Sequence, residues 1–240
     1  MNFRIRSKFI GILVIASLLP LGIALIVFRW FGEHYSRQSE GIRFKEAAVH
    51  FSYSMTHSLV SEIKLFNQWC ELRKIASSVN AEQAGQPAWD EAEDVAAIQA
   101  TEALWPTLNP DSPRLQALLQ NELSLQMQAF IANNPHFAEI FITDQMGRLI
   151  AATQKTSDYW QADEAWWQAA VLLDEHMLNL EALNYDESAQ VHSIDISLPL
   201  YQVTATGREI VGVIKAVLDA STIFYNSPVL DVKDVPTQEV

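Results

Sequence analysis

An uncharged apolar stretch near the N-terminus, residues 9–28, constrains this 240-residue chain most strongly. Its length is enough for a helix to cross the hydrocarbon core of a bilayer, which is roughly 30 Å thick, and Pro20 is tolerated in such a helix. The residues before the stretch are basic, at Arg4, Arg6 and Lys8. Because basic residues favour the cytoplasmic side, we expect residues 1–8 in the cytoplasm and a transmembrane helix over residues 9–31. All later residues are then expected outside the inner membrane, in the periplasm or beyond.

A cleaved signal peptide is the competing interpretation of this stretch. Its apolar region would be shorter, about 7–15 residues, and a small-x-small cleavage site would follow it. The apolar stretch instead ends in bulky residues, VFRWFGEHYS. The sequence therefore favours an uncleaved anchor.

Charge separates the anchor from the rest of the chain. The net charge is −13, yet residues 1–31 hold four basic and no acidic residues, so the remaining chain holds 12 basic and 29 acidic ones and carries −17. An acidic outer part argues against a nucleic-acid binder, whose affinity comes largely from Lys and Arg. The single cysteine, Cys70, excludes an intrachain disulfide and a cysteine-cluster metal site.

A helical pattern follows the predicted span. From residue 33 to residue 79 apolar side chains recur every three or four positions, the spacing of one helix face. The stripe consists of Phe44, Ala48, Phe51, Met55, Leu59, Ile63, Phe66, Trp69, Leu72, Ile75 and Val79. We expect one long helix over residues 33–79. His50 and His57 lie seven residues apart without a third ligand, which indicates a surface or packing role and no metal site.

Loops and helices are expected between the long helix and the sheet, over residues 80–135. Residues 77–90 have the composition of a loop. Glu91–Trp105 and Arg114–Asn133 have helical spacing, and the sequence NPDSP at 109–113 separates them.

Strand-forming residues dominate from Phe137 onward. Phe137–Thr143 and Arg148–Thr153 flank a tight turn at Asp144–Gly147 and predict a hairpin. A helix is expected over residues 161–173, and three further strands are expected over residues 177–183, 191–201 and 209–218. Because consecutive strands are mostly joined without crossover helices, the fold class is α+β with a mostly antiparallel sheet.

Four segments of the second half are characteristic: FITDQMGRLIAAT, TSDYWQADEAWWQAA, NYDESAQVHSIDISLPL and GREIVGVIKAVLD. They resemble the Cache extracytoplasmic sensor domain of bacterial membrane receptors. The resemblance implies one Cache unit over residues 32–225, in which the long helix packs on a PAS-like antiparallel sheet at residues 136–220. It also implies a small-molecule pocket between the sheet and its covering loop and helix.

Amino-acid-binding members of that superfamily share a pocket motif: Tyr, four residues, Arg, one residue, Trp, Tyr, and a later Asp. By this resemblance Tyr159, Trp166 and Asp186 stand at matching positions. Glu164 stands in place of the Arg and Trp167 in place of the second Tyr. An Arg holds a ligand carboxylate in a bidentate clamp, whereas a Glu repels one. The departure favours a cationic or amine-bearing ligand between aromatic faces.

Three more residues complete the candidate ligand site, Trp160, Tyr185 and Asp195. Trp160 belongs to a cluster of three tryptophans that either fill core or line a pocket. Trp166 and Trp167 are adjacent on a predicted helix and point about 100° apart, so we expect one in the pocket wall and one in packing. Asp195 lies on the strand face opposite the apolar one and is expected to point into a polar pocket.

Structural roles remain open for the acidic candidates. Asp163 and Glu164 begin a predicted helix, where carboxylates are favourable in any case. Asp186 fits a turn as well as a site, and Asp144 is expected to be a turn residue.

These features together predict a membrane-anchored sensing domain of a bacterial signal-transduction receptor. Its ligand is expected to shift the long helix, through which the chain is also expected to form a homodimer. No catalytic constellation, metal site or cofactor is expected, so the chain is not predicted to be an enzyme. The alternatives are a membrane-tethered interaction or dimerisation module without a ligand and, less favoured, an anchored enzyme. Residues 226–240 are expected to be a polar tail, so the chain is either a fragment or acts through a signalling partner.

Overall fold

The computed structural model describes residues 3–83, 91–205 and 207–225, and the chain divides into two compact units, Met1–Ser54 and Met55–Val240. The first helix, α1, spans Phe3–Leu72. The side chains of residues 1–17 lie outside the described part of the structure, and with them the first half of the predicted membrane span. Among the residues that were described, no helix carries an apolar stretch long enough to span a bilayer. The predicted tail also lies outside the described residues.

The long helix expected over residues 33–79 is interrupted. α1 ends just before Lys74, which has a φ of 51°, and a second helix, α2, covers Ile75–Gln83. The expected loop over residues 77–90 therefore begins with helical residues. A left-handed backbone costs an L-residue at least about 1 kcal/mol, but α2 buries Val79 completely. Burial of such a side chain contributes about 1.5–3 kcal/mol, which offsets the cost of the left-handed backbone at Lys74.

Between α2 and the sheet, the described residues form three helices and one 3-10 turn. They are α3 (Glu91–Leu104), the turn Trp105–Thr107, α4 (Pro113–Leu119) and α5 (Glu122–Asn133). The single helix expected over Arg114–Asn133 is thus two helices. Asn121 separates them because its side chain accepts a hydrogen bond from Ser124 N at 2.9 Å and donates one to Ile150 O at 2.7 Å.

The sheet has six strands in the described part of the chain. They are β1 (Phe137–Asp144), β2 (Leu149–Ala152), β3 (Asn179–Leu180), β4 (Asn184–Asp186), β5 (Val191–Thr204) and β6 (Gly207–Asp219). Their order is β2-β1-β6-β5-β3, with β4 also paired to β5, and every pair is antiparallel. Helices α6 (Ala165–Ala170) and α7 (Ala220–Tyr225) complete the fold. The expected α+β class, a long helix followed by an antiparallel sheet, is confirmed.

The helix expected over residues 161–173 is confined to α6. The residues before it run along the hairpin instead, because Leu149 N donates to Tyr159 O at 3.1 Å and Gln161 N donates to Gly147 O at 2.8 Å. Gly147 permits this close approach: it has a φ of 81°, and a Cβ there would lie 2.5 Å from the Cβ of Ala162.

The two faces of the sheet carry different layers. On one face, strand residues such as Ile140 and Ile214 share a core with α2, α5 and the part of α1 around Phe66. On the other face, Phe141 and Val213 share a smaller core with Trp166 of α6 and with residues of the preceding helical region. The alternation of side chains along β1 and β6 separates these layers. The second face also carries the polar residues of the candidate site.

Candidate functional site

A buried ion pair lies on the second sheet face. Lys215 of β6 and Asp195 of β5 are diagonal neighbours, since Ser197 pairs with Lys215 in the strand register. The Lys215 Nζ lies 2.8 Å from Asp195 Oδ2 and 3.7 Å from Glu181 Oε2, and 4.9 Å from the centre of the Trp166 ring. Asp195 Oδ1 is buried and has no hydrogen-bond partner in the described structure. The pair is therefore neutralised but still offers one acceptor.

Helix α6 supplies one wall of the site. Trp166 is 5% exposed and packs edge-to-face on Phe141, with ring centres 5.6 Å apart. Glu164 precedes the helix, and its side chain forms no capping hydrogen bond. Desolvation raises the pKa of Glu164, and the negative charges of Asp163, Asp158 and Glu181 raise it further. Several carboxylates are thus close enough to repel one another at this wall.

The opposite wall is the segment Glu181–Ser188, which we call the covering segment. It contains β4 and is attached to the edge of β5, where Tyr185 pairs with His192. Asp186 Oδ1 accepts hydrogen bonds from Ser188 Oγ at 2.7 Å and from Ala189 N at 2.8 Å. These contacts give Asp186 the turn role that was one of its two expected roles, while the residue also lines the cavity.

A cavity of about 700 Å³ lies between the sheet face, α6 and the covering segment. That volume is within the usual range of small-molecule sites, about 300–1,000 Å³. Its lining includes six carboxylates: Asp158, Glu164, Glu181, Asp186, Glu187 and Asp195. Lys215 is the one cationic side chain among the described lining residues. The formal charge of the lining is therefore −5, counted from six carboxylates and one ammonium.

Five of the eight predicted ligand residues line this cavity. They are Glu164, Trp166, Tyr185, Asp186 and Asp195. Trp167 packs instead and donates from Nε1 to Thr143 Oγ1 at 2.9 Å. The adjacent tryptophans thus divide as expected, with Trp166 in the wall and Trp167 in packing.

Tyr159 and Trp160 do not line the cavity, because the backbone around them follows the hairpin edge. Tyr159 packs on Trp105 with ring centres 5.5 Å apart, and the Trp160 indole donates to Met146 O at 2.8 Å. Neither the family motif, from which Tyr159 was chosen, nor the cluster of tryptophans, from which Trp160 was chosen, fixes this path of the backbone.

Asp144 has the turn role expected from the sequence. Its Oδ1 accepts from the backbone N–H groups of Met146 and Arg148 at 2.9 Å, and its Oδ2 lies 2.6 Å from Arg148 Nε. These contacts satisfy the carboxylate within the hairpin.

Sequence reasoning missed two charged residues of this region, Lys215 and Glu139. Both interrupt apolar strands, at GVIKAVL and HFAEIFI. A charge within a strand that is otherwise buried on both faces is the signal that could have found them, since such residues are rarely fully buried unless they are paired.

No protein-family profile and no curated protein sequence matches this chain. Among solved structures, it is similar to the ligand-binding domain of the Campylobacter jejuni chemoreceptor Tlp3 with 4-methylisoleucine, at 15% identity and a TM-score of 0.35, over 68% of this chain and 61% of that chain. The ligand-binding domain of the Pseudomonas aeruginosa PAO1 amino acid chemoreceptor PctC with GABA matches at 16% identity and a TM-score of 0.33, over 67% and 65%.

The Escherichia coli DcuS sensor domain matches at 19% identity and a TM-score of 0.33, over 57% of this chain and 97% of that chain. In the two chemoreceptor structures named above, this chain thus spans less than two thirds of the other chain. The resemblance to sensor domains that was expected from the sequence is also found among solved structures.

Proposed function

We propose that this chain is the extracytoplasmic sensing domain of a bacterial membrane receptor, and that its cavity binds a small molecule with a positively charged nitrogen. The observation that carries the proposal is the cavity of about 700 Å³ with six carboxylates in its lining. The predicted span would anchor the chain with its N-terminus in the cytoplasm, and the cavity would face the periplasm or the outside.

The charge of the lining supports a cationic ligand. Lys215 already contacts Asp195 and Glu181, so it offers little to a ligand carboxylate. Asp195 Oδ1 is buried without a donor, and such an acceptor costs free energy until an N–H or O–H group reaches it. A ligand ammonium near Glu164 would also relieve the repulsion among the carboxylates at that wall.

The aromatic lining supports an organic cation. The Trp166 ring is in contact with an ammonium group already, that of Lys215, and Tyr185 is 48% exposed where it borders the cavity. Aromatic faces attract cations by about 0.5–2 kcal/mol. A cavity of this volume suits an organic amine better than a bare metal ion.

Signalling would use the two faces of the same strands. β5 and β6 carry the ion pair on one face and pack against the α1 region around Phe66 on the other. A ligand needs only to bind one arrangement of strands and helix more tightly than another. We propose that the homodimer forms through the long helix, in the part that includes Phe44, which is 76% exposed.

Thermal unfolding of the purified full chain in detergent tests the ligand class with pairs that differ only by a carboxylate. The pairs are ornithine and putrescine, lysine and cadaverine, arginine and agmatine, and histidine and histamine, with succinate as the acidic probe. A ligand at a hundred times its Kd adds about 2.7 kcal/mol, which raises the Tm of a domain of this size by about 5–10 °C. We expect the decarboxylated member of at least one pair to give the larger shift.

Matched variants locate the binding. Asp195→Asn and Glu164→Gln are expected to weaken amine binding at least tenfold, because each removes a charged acceptor. Asp111→Asn and Glu122→Gln, both at exposed positions outside the cavity, are the controls. Larger shifts with the amino acids or with succinate would overturn the ligand class. If no probe in the panel shifts the Tm, the small-molecule sensor is wrong and the interaction module is favoured.

A further inference from the structure

A carboxylic acid is buried behind the covering segment, at Glu139 of β1. The residue is 0% exposed and pairs in register with Val217, which pairs on its other side with Asp195. Glu139 Oε2 lies 2.5 Å from Ser188 Oγ, and Oε1 has no hydrogen-bond partner in the described structure. Glu139 does not itself line the cavity, so the proposed ligand site leaves it without a role.

The hydrogen bonds around Ser188 require one more proton than two carboxylates and a hydroxyl supply. Ser188 Oγ is also 2.7 Å from Asp186 Oδ1, yet a serine hydroxyl has a single proton to donate. One carboxyl must therefore carry a proton and donate it to Ser188 Oγ. Asp186 accepts a second bond from Ala189 N, which favours its ionised form, whereas Glu139 is 0% exposed, which disfavours its charged form. The chain thus runs from Glu139 O–H to Ser188 O–H to Asp186.

Burial outweighs the other influences on Glu139 and favours its protonated form. Burial is the largest cause that raises the pKa of Glu139, to about 7, and the charge of Asp186 in the covering segment also raises it. Hydrogen bonds from Ser188 and Gln154 and the Lys215 charge on β6 lower this pKa without cancelling the effect of burial. The carboxyl is consequently protonated at mildly acidic pH and loses its proton to solvent as the pH rises past neutrality.

We propose that Glu139 is a positioning residue that shares a proton with Ser188 and Asp186, and that this hydrogen-bonded chain fastens the covering segment to β1, so that cavity closure is coupled to proton uptake. When the proton leaves, the Ser188 hydroxyl can donate to only one of the two carboxylates. The other carboxylate then faces the Ser188 oxygen without a proton between them, and the two negative charges repel each other. The regulatory part, in which ligand affinity follows this closure, rests on the proposed function. The proton chain itself does not.

Hydrogen exchange of the full chain at pH 6 and pH 8, corrected for intrinsic rates, tests the proton chain without any ligand. With a pKa of about 7, about one tenth of Glu139 is protonated at pH 8. We expect protection of the covering segment to fall about tenfold between the two pH values. Glu139→Gln keeps an N–H donor and cannot titrate, so its protection should not change with pH. Ser188→Ala should expose the segment at both pH values, and Glu122→Gln should behave as the unaltered chain.

Infrared difference spectroscopy adds a readout that a merely structural role would not change. We expect a protonated-carboxyl band that titrates near neutral pH and is lost in Glu139→Gln. Equal protection at pH 6 and pH 8 in the unaltered chain would overturn the proposal. The same pH dependence in Glu139→Gln would overturn it as well.

The affinities for putrescine, cadaverine and agmatine at the two pH values test the regulatory part. Amines of this kind titrate at about pH 10, so a change between pH 6 and pH 8 reports on the protein. We expect about tenfold weaker binding at pH 8, since apparent affinity scales with the competent fraction, and no change in Glu139→Gln. If protection depends on pH but no amine binds, the proton chain stands and the ligand class fails. If amines bind equally at both pH values, the regulatory coupling fails and the proposed function stands.

Discussion

Breaking the Lys215–Asp195 ion pair should destabilise the chain more than any loss of packing there would. Lys215→Met keeps an unbranched apolar stem of similar length and removes the ammonium group. The two side chains are only 10% and 12% exposed, so Asp195 would be left as a buried carboxylate with neither oxygen paired.

The expected loss in free energy of unfolding follows from the distance between the two charges and from their burial. At 2.8 Å and an effective dielectric constant of 20, two unit charges attract by about 6 kcal/mol, and desolvation of both groups offsets part of this. Removal of one partner of a buried pair costs about 3–5 kcal/mol, which we expect for Lys215→Met. Asp195→Asn should cost roughly 2 kcal/mol, because Lys215 keeps Glu181 at 3.7 Å and the Trp166 ring. The double variant should cost at least about 2 kcal/mol less than the sum of the two.

Urea unfolding of the full chain, followed by tryptophan fluorescence, measures all four corners of this cycle. Lys64→Met, at an exposed position of α1, is the control and should change the free energy of unfolding by less than about 0.5 kcal/mol. Additive single-variant effects would show that the two charges do not interact. A cost below about 1 kcal/mol for Lys215→Met would show that Asp195 is solvated.

Three further outcomes are expected. Gly147→Ala should cost about 2–5 kcal/mol, measured as a lower Tm, because it combines a φ of 81° with a Cβ that would lie 2.5 Å from Ala162; an unchanged Tm would contradict this backbone. Asn121→Ala should cost about 1–3 kcal/mol in urea unfolding, since it loses the helix cap and the bond to Ile150 O, and a neutral result would refute that role. Burial raises the pKa of Glu139 from 4.5 to about 7, so the native state holds an extra proton between these values. The free energy of unfolding should therefore fall by about 3 kcal/mol from pH 4.5 to above pH 7, relative to Glu139→Gln, and parallel pH profiles would contradict it.

The sheet could be predicted closely because its strands have simple patterns. Residues 191–201 alternate strictly, with apolar side chains such as Ile194 and Ile196 on one face and Asp195 on the other, and this alternation is the signature of a strand between two different layers. The hairpin was predictable from Gly147, which the turn requires. The short strand β4 was not predicted, because three exposed or half-buried residues at a sheet edge have little pattern of their own.

The helix breaks could not be predicted because no helix-breaking residue marks them. Lys74 carries no propensity for a left-handed backbone, and its conformation is imposed by the burial of α2 residues on the sheet. Asn121 is a good helix cap, but its bond to Ile150 O depends on a strand 29 residues away in the sequence. Tertiary contacts therefore decided both boundaries.

Only part of the cavity lining could be predicted from the sequence, because tertiary contacts also decide which side chains reach the cavity. Trp166 and Asp195 could be placed by their positions on an element, since a helix offset of 100° or a strand face fixes where a side chain points, whereas Asp186 was chosen from the family's pocket motif. Tyr159 was chosen from the same motif, and a motif match in the sequence does not fix the path of the backbone between its residues. Lys215 was seen only as an interruption of an apolar strand, although it forms the ion pair with Asp195 on the cavity face.

The ion pair also gives a physical reason why this cavity can influence the helix side of the sheet. Lys215 and Asp195 join β6 to β5 on the cavity face, and their strand neighbours Ile214 and Ile196 belong to the core that contains Phe66 of α1. A ligand ammonium that takes Asp195 Oδ1 competes with Lys215 for the same carboxylate, so it acts on the contact between the two central strands. Because a packed core adjusts in steps and transmits strain, a change in that contact must be accommodated by the residues on the opposite face. Coupling between ligand and helix should therefore weaken when Lys215 is replaced by Met, even where the ligand still binds.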